Sequence, residues 1–150
     1  MSIFDRLSAL FSEPQAPEAK PLPPTDVPHA LGALLVRVAL SDKQYAVQEI
    51  SQIDRVLATY QNIGPIEAAK LRAECERLEA FAPDTPDFAF LLSRSVSYEE
   101  RQNMVQALWQ VVYADGRLKD VEERVMNITQ SHLGISPEDC AAAQARAQAV

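Results

Sequence analysis

Sliding the sequence along itself by 73 residues lays Leu35 on Leu108, Val38 on Val111, Asp42 on Asp115, Glu49 on Glu122 and Ile53 on Met126. One residue less pairs Ile63 with Ile135 and Pro65 with Pro137. This self-match narrows the available folds, because each half must bury corresponding faces in the same order. It runs through an apolar segment, a turn, a second segment and the start of a third. The predicted plan is three helices, a connecting helix and three helices again.

The periodicity within the repeat is helical almost throughout, and no alternating run of β-branched residues competes with it. His29–Leu40 is apolar on nearly every side and reads as a buried central helix. Ala46–Tyr60 carries Ile50, Ile53, Leu57 and Tyr60 at helical spacing, and Glu67–Phe81 repeats the stripe with Leu71, Cys75 and Leu78. Thr85 before Pro86 predicts the start of a short helix through Phe88, Leu91 and Leu92. Ser97 and Glu100 form a capping box for a long helix through Leu108, Trp109, Val111 and Val112. Asp120 and Glu123 have the related form, followed by Val121, Val125 and Ile128 as the expected apolar stripe. Ser136-Pro137 opens the last, alanine-rich helix. The expectation is an all-α, seven-helix bundle.

With 150 residues, 47% of them hydrophobic, the chain suits one compact domain. A net charge of -7 argues against a surface built to neutralise nucleic-acid phosphates. Basic partners or cations fit better. Residues 13–28 hold most of the prolines and little to bury, so they read as a linker, with the domain spanning 29–150. Residues 1–12 contain a short amphipathic stripe of Ile3, Phe4, Leu7, Leu10 and Phe11. That stripe suits docking on a protein surface or peripheral contact with a membrane through residues 3–11. No apolar run is long enough to predict an integral membrane segment, and no signal peptide is expected. Cys75 and Cys140 lack metal or disulfide spacing, which points to reduced thiols and a cytoplasmic location.

The chemistry-bearing residues gather at two helix corners. LSDKQYAVQEI (40–50) and YADGRLKDVEE (113–123) each set an Asp at the end of an apolar run and a Glu seven positions later. A helical hairpin would bring Asp115 towards Glu122, and Asp42 towards Glu49, beside carbonyls freed at the helix end. Oxygen-only groups suit a hard cation such as Ca²⁺ or Mg²⁺. The same residues also serve as turn and helix-start chemistry, because carboxylates in a first turn are favoured by the helix dipole. Both readings stay open on spacing alone. Glycine-rich phosphate loops, nucleophile elbows and HExxH are lacking, so the chain is read as non-enzymatic. His132 reads as a helix-end residue, Trp109 as core, and a cysteine redox pair would require the fold to join Cys75 to Cys140.

VVYADGRLKDVEERVM, followed by LGISPED, resembles the TerB-like (tellurite-resistance protein B) family, with its recurring A-D-G-x-hydrophobic-x-x-x-E phrase. The resemblance covers roughly residues 29–150. It implies a duplicated seven-helix domain, a link to tellurite and stress resistance, and divalent-cation binding by acidic residues. Related domains in co-chaperones imply the alternative of a protein-interaction module that recruits a partner without metal. Carried over by position, the metal residues are Asp115 and Glu122, with Gly116 at the turn, and Asp42 and Glu49 as a weaker pair. The first corner departs from the phrase, with Lys43 in place of Gly and Tyr45 in place of an aliphatic residue. Lys43 is therefore expected to compete for Asp42.

Overall fold

The computed structural model describes residues 23–149; residues 1–12, with the amphipathic stripe, and the proline-rich stretch as far as residue 22 lie outside the described residues. Seven α-helices follow one another, and no strand occurs among the described residues. They are α1 (Val27–Leu40), α2 (Val47–Gln61), α3 (Pro65–Phe81), α4 (Asp87–Ser95), α5 (Tyr98–Val112), α6 (Asp120–His132) and α7 (Pro137–Gln148), with a 3₁₀ turn at Tyr113–Asp115.

Helix α1 starts two residues before His29 because Asp26 caps it, its Oδ1 accepting the His29 N–H at 3.0 Å. The His29 ring reaches Asp26 at 2.6 Å and Glu74 at 2.7 Å, tying the start of α1 to α3. Nine residues of α1 are buried, which accounts for its lack of a polar side. Helix α5 begins as read, with Ser97 Oγ accepting the Glu100 N–H at 3.2 Å. The expected Asp120–Glu123 box is shifted by one residue. Lys119 holds the cap position, and Glu122 reaches back to its N–H.

The closest packing joins α1 to α3. A Cβ added to Gly32 would lie 2.1 Å from Cys75 Sγ, so only glycine permits this approach. In the second half α5 and α7 pack against each other. The middle helices differ: α2 lies on α1, α3 and α5, whereas α6 lies on α1, α4 and α5. Arg37, the one charge in the apolar run of α1, donates to the Thr85 carbonyl at 2.6 Å and the Ala82 carbonyl at 3.2 Å. Its guanidinium also pairs with Glu79 at 3.3 Å and covers the Phe88 ring. It thus fastens the α3–α4 connection to α1, using carbonyls that the end of α3 leaves free.

The inward face of α6 is not the expected one. Ile128 is 58% exposed, and Val121 and Val125 are partly buried. Glu122, Met126, Thr129 and Gln130 point inward instead. Gln130 is accommodated because its Oε1 accepts the Trp109 Nε1–H at 2.9 Å inside the core. Trp109 is core, as expected, stacked on Tyr113 with 5.8 Å between ring centroids.

Candidate functional site at the two helix corners

The corners after α1 and α5 are built by the same two kinds of hydrogen bond. Asp42 Oδ1 accepts the Gln44 N–H at 2.9 Å, and Asp115 Oδ1 accepts the Arg117 N–H at 3.0 Å. Each aspartate thereby closes a small turn on its own backbone. Glu49 Oε1 accepts the Ala46 N–H at 3.0 Å, and Glu122 Oε1 accepts the Lys119 N–H at 3.1 Å, satisfying one donor ahead of α2 and α6. The residue after each aspartate is left-handed: Gly116 at φ 82° and Lys43 at φ 64°. Lys43 follows the glycine geometry despite its side chain, a conformation that non-glycine residues adopt at some cost. The helix-punctuation reading is therefore true of one oxygen on each residue.

The second oxygens make the difference. Glu49 and Glu122 are fully buried, and the Oε2 atom of each has no hydrogen-bond partner. Burial pushes the Glu49 carboxyl up to about 7, against its bond from the Ala46 N–H, with Asp42, Glu122 and Asp115 adding repulsion. Burial likewise raises Glu122 to about 7, with Asp42 and Asp115 adding to it. The two pairs read from sequence are thus one electrostatic cluster, contributed by both halves.

Among the described residues, one ammonium meets the two aspartates of this cluster. Lys119 Nζ donates to Asp42 Oδ2, lies 3.3 Å from Gln44 Oε1 and 3.8 Å from Asp115 Oδ2. Burial works against ionised Asp42, yet the Lys119 ammonium and the Gln44 N–H hold its carboxyl below the usual carboxylate range. The hydrogen bond to Asp42 in turn raises Lys119. The expectation for Lys43 is corrected: its side chain is exposed, and the ammonium on Asp42 comes from the other corner. Spacing within one corner could not reveal this, because Lys119 and Asp42 lie 77 positions apart.

The donor set suits a hard cation, since every group is oxygen and two buried oxygens lack partners. As the side chains stand, no three His, Cys, Asp or Glu residues among the described residues converge to hold one ion. The Lys119 ammonium lies between the carboxylates of the two corners. Elsewhere, Cys75 is buried in α3 and Cys140 half-buried in α7, both as free thiols. His132 packs against Phe90 and borders a groove of about 550 Å³, whose apolar wall includes Leu40, Val121, Val125 and Ile128.

An all-α domain with two acidic helix corners of like hydrogen bonding is the class that fold and site define. The chain belongs to the family of tellurite resistance protein TerB, whose family model matches residues 29–145. No curated protein and no solved structure gave a significant match. No helix of the described residues is long and apolar enough to cross a membrane.

Proposed function

We propose that this domain is a non-enzymatic, stress-linked module of the tellurite-resistance type that binds a divalent cation between its two acidic corners. Asp42 and Asp115 would supply the outer carboxylates, and Glu49 and Glu122 the buried ones. The observation that carries this reading is the pair of buried glutamate oxygens with no partner beside two further carboxylates. An ionised carboxylate buried without a partner costs several kcal/mol or more, so near neutral pH such a cluster takes up protons or a cation. The absence of sulfur and imidazole favours Ca²⁺, Mg²⁺ or Mn²⁺ over Zn²⁺.

Titration calorimetry and thermal shift at pH 8, with each of these ions in turn, test the proposal. Binding should appear in the wild type and vanish in the combined E49Q/E122Q variant. No heat and no shift with any ion at millimolar concentration would end the cation reading. The interaction-module reading draws on a different surface, the groove between α1, α4 and α6, where exposed Ile128 gives an apolar partner something to cover. Replacing Ile128 with Asp would weaken such a partner and leave the cation titration unchanged.

A further inference from the structure

The backbone at position 119 does not call for a lysine. It holds the cap position of α6, where Ser, Thr, Asp or Asn is favoured, and makes no side-chain cap. Its charge also lies at the positive end of the helix dipole, where a cation is disfavoured. At the corresponding place in the first corner stands Ala46, whose N–H makes the same bond to Glu49 that the Lys119 N–H makes to Glu122. The corner therefore folds without any side chain reaching from this position. What the Lys119 side chain does is cross to the other half: its ammonium meets Asp42 Oδ2, Gln44 Oε1 and Asp115 Oδ2.

The two sides of this contact differ in exposure. The Asp42 side chain is 4% exposed and anchored by the Gln44 N–H, whereas the Lys119 side chain is 29% exposed. Lysine is a point charge on a flexible stem, able to move its ammonium into water without disturbing the backbone. In the same carboxylate cluster the Oε2 atoms of Glu49 and Glu122 have no partner, and a monovalent ammonium on the aspartates leaves them without one.

We propose that Lys119 is a built-in competitor at the shared site: its ammonium and a divalent cation contend for the same aspartate oxygens, and the cation enters by displacing it. This rests on the cation reading above and assigns its regulation to one residue. Affinity is then set by the exchange of one bound charge for another, as well as by the ligands themselves.

The test compares wild type, K119M and K43M by calorimetry with Ca²⁺ and Mn²⁺ at pH 8. K119M keeps the stem and removes the charge, and it should bind at least tenfold more tightly than wild type. K43M removes a lysine of equal charge from an exposed position in the first corner and should change affinity by less than threefold. Equal affinity in wild type and K119M, weaker binding in K119M, or equal tightening in K43M would each overturn the proposal while leaving cation binding in place. Binding by none of the three would instead remove the cation reading, and this proposal with it.

Should K119M fail to fold, amine labelling of the wild type gives the same decision. Mass spectrometry after brief exposure to an amine-reactive ester should show Lys119 labelled several-fold faster with saturating Ca²⁺ or Mn²⁺ than without, relative to Lys43. An unchanged or slower rate under conditions that give binding heat would refute displacement.

Discussion

Replacing Glu122 with glutamine (E122Q) removes one titrating group while keeping an oxygen to accept the Lys119 N–H, now 3.1 Å from Glu122 Oε1. The Glu122 carboxyl is pushed up from 4.5 to about 7, chiefly by burial. A carboxyl raised in the folded state binds its proton more tightly there than in the unfolded chain. Its contribution to stability is therefore fully present below about pH 4.5 and is lost as pH rises through about 7. At 1.36 kcal/mol per unit, the loss between pH 5 and pH 8 comes to roughly 2–3 kcal/mol. Urea denaturation of both proteins at pH 5, 6, 7 and 8, without divalent ions, measures it. E122Q should gain on wild type by about that amount across the series, most steeply between about pH 5 and 6.5, midway between the unfolded and folded values, and levelling off above about 7. Because Glu122 also repels Glu49, the variant should retain a shallower pH dependence from Glu49. Parallel curves for the two proteins would refute the claim that Glu122 is a buried carboxyl facing other carboxylates.

Gly32→Ala should destabilise by about 1–3 kcal/mol in thermal or urea unfolding, because the new methyl meets Cys75 Sγ, and C75A in the same chain should recover part of the loss. Arg37→Met keeps the apolar stem but abandons the Thr85 and Ala82 carbonyls, with an expected cost of about 2–4 kcal/mol and faster proteolysis between α3 and α4. Gln130→Leu strands the buried Trp109 N–H and should lower stability by about 1–3 kcal/mol, with a change in tryptophan fluorescence. At pH 8 iodoacetamide should alkylate half-buried Cys140 well before Cys75, whose thiol burial pushes up to about 12; peptide mass spectrometry reads the order.

The helices were legible in the sequence because their apolar residues recur at helical spacing and starts such as Ser97 and Ser136-Pro137 carry capping or first-turn residues, whereas the helix read from Glu67 begins two residues earlier, at Pro65. Helix α6 defeated that logic on its inward face. Periodicity favours Val121, Val125 and Ile128, but the buried positions include Glu122 and Gln130, whose partners are supplied by the chain at Lys119 and Trp109. Gln130 is tolerated inside because Trp109, 21 positions away, satisfies it, and satisfaction by a distant residue leaves no local trace; Glu122 is only half satisfied, its Oε2 having no partner. The acidic residues of the site could be found from the repeat. That Asp42, Glu49, Asp115 and Glu122 form one cluster, and that Lys119 crosses to it, depends on how the halves meet.

The lysine also makes the two corners non-interchangeable. A chain assembled from two first corners would set Ala46 at both cap positions, leaving the central carboxylates with no ammonium from either side. One assembled from two second corners would direct a pair of ammoniums at the same aspartates, where they would repel each other. The native chain, with one of each, carries a single counter-charge at the junction. The difference between Ala46 and Lys119 thus makes one corner the donor and the other the recipient, a polarity that swapping the corner segments would expose.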